Sequence, residues 1–399
     1  MPLLASTVTR DPLALAVVST AAWLPWLLVG LLTGALVDRW DRRTVMWRVD
    51  AVRAAVVGVL VALIVSGRVS IPLLAALAFV LGVGQTLYEN ATQAIVPAVV
   101  GRDPARLARA NSQLGAAQTG GKELAGPPLG GVLFTVAPWA PFLLDAVSFG
   151  VGAALIAAIR GRFRPARAPS AGRSLLSGAR GARRPEAPTR LRAEIAEGLR
   201  WVWRSRVIRT LAVMAGVVNA VYGAGLAVMV LYAQDVLGLD ALGYGLLLAA
   251  VAVGVLPGSL IAPWLARTVP TAPLLVGGIA AVAVLQAAFG LAPVVWVAVA
   301  AEVLAGVVYI VFDVAQISLR QELVPDRLIG RVLSAARLVG YGAIPAGTLL
   351  GGLAARALGL RAPFILGGLV LAVLAVVSAR VLTTTAVEEA RAMASGDVA

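Results

Sequence analysis

Eleven apolar stretches follow one another along the chain, and polar connections separate them. A helix rises about 1.5 Å per residue, so about 20 apolar residues are enough to cross the hydrocarbon core of a bilayer. Each stretch is therefore predicted to be a membrane-spanning helix, and the chain an all-α membrane protein. The stretches are residues 13–37, 44–66, 70–97, 111–134, 139–159, 207–234, 242–266, 272–291, 294–317, 330–355 and 362–382.

Arginines gather on alternate connections. The arginine-rich connections are residues 38–53, 101–110 and 160–206. The other connections contain almost no arginine, and the three main exceptions are Arg68, Arg356 and Arg361. Because cytoplasmic loops carry an excess of basic residues, residues 1–11 are predicted to lie outside and the tail after Arg380 in the cytoplasm. This pattern indicates a multi-pass protein of the inner, or plasma, membrane.

Composition agrees with this assignment. Apolar residues make up 60% of the 399 residues and charged residues only 14%, a balance that is rare in water-soluble domains. The formal net charge of +14 would suggest nucleic acid as a partner of a soluble protein. Its placement on alternate loops instead indicates a signal for orientation in the membrane. We therefore expect the lipid bilayer, and no nucleic acid, as a partner.

The chain contains no cysteine and no histidine. This excludes disulfides, thiolate or imidazole metal sites, and catalytic sets that need either residue. The only lysine, Lys122, is followed by Glu123, so no phosphate-binding loop of the GxxxxGK[ST] type is present. The sequence thus predicts no enzyme activity, no catalytic residue, no metal site and no cofactor.

A repeat relates two halves of the chain. The segment from Gln93 to Pro97 (QAIVP) recurs from Gln321 to Pro325 (QELVP), and each is followed by a basic loop and a span that ends in a glycine pair. Two pseudo-symmetric bundles around a midplane site are typical of secondary transporters. The predicted parts are an N-terminal bundle, a basic linker, a six-helix C-terminal bundle and a tail, at residues 1–159, 160–206, 207–382 and 383–399. The linker ends in a predicted amphipathic helix, 191–204, which lies at the membrane surface or packs against loop ends in the cytosol.

The chain contains the segments GALVDRWDRR (residues 34–43), GPPLGG (126–131) and AEIAEGLRWVWR (193–204). They resemble motifs of the major facilitator superfamily, and within it of the drug, macrolide and siderophore exporters. Residues 34–43 (GALVDRWDRR) are similar to the superfamily's cytoplasmic signature, with Asp41 in place of the usual glycine. Residues 193–204 (AEIAEGLRWVWR) resemble the segment that opens the second half in these exporters. Residues 126–131 (GPPLGG) retain the core of the exporter motif of the fifth helix, although Lys122 stands where another glycine is common.

The resemblance implies twelve helices in two bundles and transport by alternating access. It also implies a cytoplasmic gating motif, here Gly34, Asp38, Arg39, Arg42 and Arg43. Asp38 would accept hydrogen bonds from the N-terminal amides of the helix that begins near Gly330. The implied helix-bending motif is Gly126, Pro127, Gly130 and Gly131, for which ordinary small-residue packing is the alternative. We expect a monomer.

The chain shows one span fewer than the family's twelve. Residues 2–12 look like the end of a first helix and the connection after it. The first helix is therefore expected to be missing. A start codon placed too far downstream and a true eleven-span product are the two explanations.

Polar and ionisable side chains inside the spans are the candidate transport site. Such a group at the bilayer centre costs about 2.5–3.5 kcal/mol unless it faces a cavity or a partner. Polar stripes on the equivalent spans 70–97 and 294–317 are expected to line one central pathway, with structural ion pairs as the alternative. The candidate substrate and proton pathway consists of Gln85, Glu89, Gln118, Lys122, Glu123, Glu302, Tyr309, Asp313 and Gln316.

Lys122 is predicted to lie near mid-depth, where an ion pair with Glu89, Glu302 or Asp313 would offset its burial. Glu123 would point about 100° away from it on a regular helix. Tryptophans such as Trp23 are expected at belt or packing positions rather than at a ligand.

These observations predict a secondary transporter that exports a small amphiphilic compound, of the drug, macrolide or siderophore type, in exchange for protons. A small-molecule substrate and protons are thus the expected partners. Two alternatives stay open. A transport-inactive sensor or scaffold would fit a missing first helix, and a nutrient importer would fit the fold alone.

Overall fold

A computed structural model describes residues 1–30, 40–101, 103–159 and 200–396, and its regular elements in these ranges are helices. The N-terminal half contains α1 (Pro2–Val8), α2 (Pro12–Leu28), α3 (Arg42–Val65), α4 (Ile71–Val100), α5 (Pro104–Gln118), α6 (Gly126–Val136) and α7 (Ala140–Ala158). The C-terminal half contains α8 (Arg206–Leu231), α9 (Ala241–Thr268), α10 (Thr271–Leu291), α11 (Val295–Leu323), α12 (Asp326–Leu358), α13 (Ala362–Ala379) and α14 (Thr384–Gly396). Two π-helical turns, Thr119–Ala125 and Tyr232–Val236, continue α5 and α8.

The helices confirm an all-α membrane protein. In the described part of the chain, eight helices are long and apolar enough to cross a membrane. The other three predicted spans do not reach the required length or apolar content, and the structure gives the reason for each. Helix α2 has 17 described residues, α3 carries Arg48, Asp50 and Arg53 in its first half, and a π-turn divides α5 from α6.

Side-chain caps fix where several helices begin. Asp11, Asp41, Asp103, Ser205 and Asp240 each accept a hydrogen bond from a backbone N–H in the first turn of the helix that follows. Such a cap satisfies one of the N–H groups that a helix leaves without a partner at its start. Polar capping residues therefore mark the beginning of helices at both faces of the bundle.

The helices of the two halves pair in the same pattern. Helix α2 packs on α4, and α3 packs on α4 and α7; correspondingly, α9 packs on α11, and α10 packs on α11 and α13. Across the halves, α2 packs on α12 and α6 packs on α9, which are again equivalent pairs. This pairing confirms the two pseudo-symmetric bundles that the repeat predicts.

The two faces of the bundle differ. We call the face that carries residues 9–11 and 237–240 the arginine-poor face, and the face that carries 101–103 and 324–325 the arginine-rich face. Toward the arginine-poor face, one buried apolar cluster joins the halves, because Leu15 of α2 belongs to the same cluster as Tyr232 of the C-terminal half. Close van der Waals packing of such side chains stabilises the contact between the halves in a membrane.

The linker and the tail are described only in part. Residues 160–199, which include most of the predicted amphipathic helix, lie outside the described residues. Residues 200–204 are helical, and Val202 is buried in the apolar cluster of the C-terminal half. The tail forms α14, where Arg391 binds Glu322 at 2.8 Å and donates to the Thr271 hydroxyl at 3.1 Å. The tail therefore packs against α10 and α11.

Candidate functional site

One seam between the halves joins α6 and α9 through backbone contacts. A Cβ atom at Gly131 would overlap the carbonyl oxygen of Ala241, and one at Gly245 would overlap that of Pro127. Gly130, in contrast, has no heavy atom within 4 Å of where its Cβ would stand. Small residues let helix backbones approach closely in membranes. The close contact expected of the GPPLGG segment thus runs through Gly131 and the carbonyl of Pro127.

The equivalent seam joins α2 and α12. Gly352 of α12 lies against the first turn of α2, where its Cβ would stand 3.2 Å from the Pro12 carbonyl oxygen. About two turns deeper, the Thr20 and Thr348 hydroxyl oxygens are 2.6 Å apart and share a hydrogen bond. The Thr348 hydroxyl lies 2.8 Å from the Pro345 carbonyl oxygen and donates to it, so Thr20 donates to Thr348.

Aromatic rings lie where this seam reaches mid-depth. The Trp23 and Tyr341 rings stack with centroids 6.5 Å apart and planes 14° from parallel, and Trp26 lies 5.4 Å from the same tyrosine. The expectation that Trp23 packs rather than binds a ligand fits this contact. The tyrosine ring is 40% exposed, so one surface of the group faces open space.

Two ion pairs join the halves at the arginine-poor face. Arg10 lies 3.3 Å from Asp235 and donates to Gln234 at 2.6 Å. Arg356 lies 3.8 Å from Asp11. All four charged side chains are substantially exposed, so each pair contributes little energy. The apolar and backbone contacts of the seams, rather than these charges, hold this side closed.

A π-turn interrupts the regular helix predicted over residues 111–134. It covers Thr119–Ala125, and the N–H of Gly126 donates to the carbonyl of Gly121, five residues back. The two prolines that follow have no N–H to donate, which loosens the helix at this point. π-turns recur at functional sites in helices. Sequence periodicity missed this one because it assumes 3.6 residues per turn throughout.

The π-turn sets the directions of Lys122 and Glu123. Glu123 lies within electrostatic range of Tyr222 and Tyr309 of the C-terminal half. Lys122 is exposed, as is Gln118 one turn earlier, and among the described residues Lys122 forms no ion pair with any of its three predicted partners. Glu123 is exposed as well, and of these two neighbours it is the one that acts electrostatically on tyrosines of the opposite half.

Glu302 and Asp313 of α11 lie toward the same space. Glu302 is within electrostatic range of Tyr222, and Tyr309 is within range of Asp313 and Tyr341. Tyr222 and Tyr309 lie at the middle of their helices, yet they are 54% and 50% exposed. Both tyrosines also lie within electrostatic range of Glu123 across the seam, so one charge of the N-terminal half lies near both of them.

Gln316 does not lie on this surface. Its side chain is buried and donates to the Leu211 carbonyl of α8 at 3.2 Å. Arg320, one turn further, donates to the same oxygen at 3.3 Å. The Gln316 side chain thus packs between α8 and α11, and its role in the pathway stays a prediction.

The polar residues of α4 lie elsewhere as well. Gln85 accepts a hydrogen bond from Arg53 of α3 and donates one to Glu89. In the described parts of the chain, no hydrogen bond or ion pair joins them to Asp313, and the expectation that the two stripes line one pathway stays a prediction. Sequence reasoning counted Arg53 as a loop charge. Its position inside span 44–66, three residues after Asp50, was the signal that it is a membrane-embedded ion pair.

The gating motif is visible only in part. Gly34, Asp38 and Arg39 lie outside the described residues. Arg42 begins α3, and Arg43 donates to the carbonyls of Ile156 and Ala157 at the end of α7. The helix expected to begin near Gly330 begins earlier, at Asp326.

Two pseudo-symmetric bundles that meet along two equivalent seams, with charged groups within the membrane, define a secondary transporter rather than an enzyme. The family described as "Transmembrane secretion effector" matches residues 3–397. The chain belongs to this family of the major facilitator superfamily.

Curated relatives are named for efflux. The chain is 30% identical over 355 residues to the multidrug efflux pump Tap of Mycobacterium tuberculosis, a match that covers 88% of this chain and 80% of the relative. It is 28% identical over 368 residues to Tap of Mycolicibacterium fortuitum, covering 91% and 86%.

Solved structures share the fold. A bacterial homologue of the human lysosomal transporter Spinster, in an inward-facing and unoccupied conformation, has a TM-score of 0.65 at 15% identity, covering 96% of this chain and 92% of that one. The nucleoside transporter NupG has a TM-score of 0.73 at 11% identity, covering 94% and 92%. At these identities the likeness concerns the fold alone.

Proposed function

We propose that the protein exports small amphiphilic compounds in exchange for protons by alternating access. The observation that carries this proposal is that Glu123 of one half lies within electrostatic range of Tyr222 and Tyr309 of the other, two tyrosines that are about half exposed at the middle of their helices. Two glycine-rich seams join the halves toward the arginine-poor face. Curated relatives named as multidrug efflux pumps support export as the direction. We further propose that the protein is a monomer of the inner membrane with its arginine-rich face and C-terminal tail in the cytoplasm.

The chemistry of this space suits an amphiphilic substrate. Aromatic faces bind apolar and cationic groups, and Tyr341 adds a half-exposed ring beside the tryptophans of α2. The carboxyl groups of Glu123 and Glu302 supply counter-charges for a basic group. A compound with an apolar ring system and an amine would use both features.

The same carboxyl groups can carry the coupling proton. Within the described residues, Glu302 has no hydrogen bond and no cationic partner. A carboxylate in that position is costly in the membrane, and a bound proton removes the charge. We propose that proton and substrate compete for carboxylates between the halves, which is the exchange that an antiporter needs.

Efflux of ethidium from cells tests this function. We expect the full chain, expressed in a host that lacks its own efflux pumps, to lower cellular ethidium relative to the empty vector. A protonophore should restore accumulation, because it removes the proton gradient. Net uptake into the cells, or efflux that persists with the protonophore, would contradict the proposal.

A matched pair of variants tests the direction of the π-turn. Glu123→Gln is expected to lower ethidium efflux about tenfold, since it removes a counter-charge that faces the opposite half. The neighbouring Lys122→Ala provides the comparison and is expected to retain most of the activity. A larger loss in Lys122→Ala than in Glu123→Gln would instead assign the site to the lysine, as the sequence suggested.

A further inference from the structure

A buried ion pair lies within the N-terminal half, between α3, α4 and α7. Arg53 and Asp50 of α3 are 3.6 Å apart, and their side chains are only 7% and 5% exposed. Glycines on the two neighbouring helices make room for the pair. A Cβ at Gly84 of α4 would stand 3.0 Å from Arg53 Nε, and one at Gly152 of α7 would stand 3.4 Å from Asp50 Oδ2. The missing side chains at Gly84 and Gly152 thus leave room for the ion pair between α4 and α7.

The guanidinium group also reaches α4. One terminal nitrogen donates to the Gln85 side-chain oxygen, and the Gln85 amide donates in turn to Glu89. The guanidinium lies 5.7 Å from the Tyr88 ring centroid and 4.9 Å from that of Phe149 on α7. Its Nε is buried and has no hydrogen-bond partner. Arg53 thus links one carboxylate directly and a second through an amide, and it retains an unused donor.

The charges of this cluster do not balance. Asp145 of α7 lies within electrostatic range of Arg53. Three carboxylates, with Asp50 and Glu89, therefore lie near one arginine in this cluster of described residues. A surplus negative charge inside a membrane protein is expensive unless a cation or a proton neutralises it. Arg53 and Asp50 are only 7% and 5% exposed, and a proton is the neutralising ion that needs no coordination space of its own.

We propose that this cluster is a proton-binding site and that Arg53 positions it by pairing with Asp50 while it donates a hydrogen bond to Gln85. A proton from water forms an O–H bond with a Glu89 carboxylate oxygen, which weakens that oxygen as an acceptor for the Gln85 amide. Arg53 then pairs with Asp50 alone. When the O–H bond breaks, the proton returns to water and the link from α3 to α4 is restored.

The cluster lies close to a seam between the halves. On α4, one turn before Gln85 and Thr86, Gly82 packs against the Ala22 carbonyl of α2. Ala22 lies between Thr20 and Trp23, which contact α12 across the seam. If the hydrogen bond between Arg53 of α3 and Gln85 of α4 breaks, α4 can shift, and the contact between Gly82 and Ala22 transmits this shift to α2. This part of the inference rests on the proposed function, because it couples a proton at Glu89, in addition to the one proposed for Glu302, to transport.

Purified full-length protein in liposomes separates coupling from structure. Arg53→Gln is expected to lower ethidium transport driven by a pH gradient about tenfold, while ethidium exchange without a gradient stays within about twofold of the unmodified protein. Arg209→Gln is the matched control, because that arginine is exposed and donates only to the Trp203 carbonyl at 3.2 Å. It should change neither rate.

Equal loss of both rates in Arg53→Gln and in the milder Asp50→Asn, which keeps the arginine, would assign the cluster a structural role and overturn the proposal. Driven transport that is unchanged in both variants would overturn it as well.

Infrared difference spectra recorded after a pH step detect the protonation of a carboxyl group directly and do not require transport. We expect a protonated-carboxyl band that disappears in Glu89→Gln and shifts in Arg53→Gln. A band unaffected by both variants would overturn the site. If the band behaves as expected but the unmodified protein shows no gradient-driven transport, the proton site stands and the proposed exporter function fails.

Discussion

Gly131→Leu is expected to reduce transport about 10- to 100-fold, since overpacking of a filled contact costs about 1–3 kcal/mol. At this position a Cβ atom would meet the Ala241 carbonyl, and it would stand 2.8 Å from the Leu242 Cα. Neither backbone atom can move without shifting α9. The seam between α6 and α9 would stay apart, and the protein would no longer close its arginine-poor side.

The adjacent residue provides the control. Gly130→Leu adds the same side chain to the same helix, where no heavy atom lies within 4 Å of the new Cβ, and it should transport normally. Both variants should reach the membrane in equal amounts. Loss of transport in Gly130→Leu, or normal transport in Gly131→Leu, would show that the α6–α9 contact is not needed for transport.

A disulfide between Thr20→Cys and Thr348→Cys is expected to stop transport almost completely. The two hydroxyl oxygens are 2.6 Å apart, so the cysteine sulfurs would lie near bonding distance. Because the chain has no cysteine of its own, the introduced pair is the only one that can form. Covalent closure of the α2–α12 seam prevents the halves from separating on that side, which alternating access requires.

Oxidation should therefore reduce ethidium efflux to the empty-vector level, and a reducing agent should restore it. Each single-cysteine variant, treated in the same way, should remain active. A crosslinked protein that transports at the rate of its reduced form would refute a transport cycle in which this seam opens.

Eight of the eleven predicted spans are found among the described residues, because length and apolar content decide whether a helix crosses a bilayer. The sequence also predicted a close contact in the GPPLGG segment. It could not tell that Gly131 and not Gly130 makes this contact, since both are glycines in one motif. That choice depends on the rotation of α6 about its axis, which the preceding π-turn sets.

Side-chain partners were the least predictable part of the site. Gln316 and Asp313 share one polar stripe in sequence, yet Gln316 is buried against the Leu211 carbonyl while Asp313 lies toward Tyr309. Arg53 stood at the edge of an arginine-rich segment, and its burial follows from glycines on α4 and α7 that no local pattern links to α3. Such pairings arise from tertiary contacts between distant segments.

The π-turn at Thr119–Ala125 makes the length of that stretch as important as its residues. One residue added or removed there would rotate everything that follows in the helix by about 100°. Gly131 would then turn away from its carbonyl partner although every motif residue was unchanged. Among homologous chains, gaps should therefore be rare between Gln118 and Gly126, and a homologue with a gap there should carry its small seam residues in a different phase.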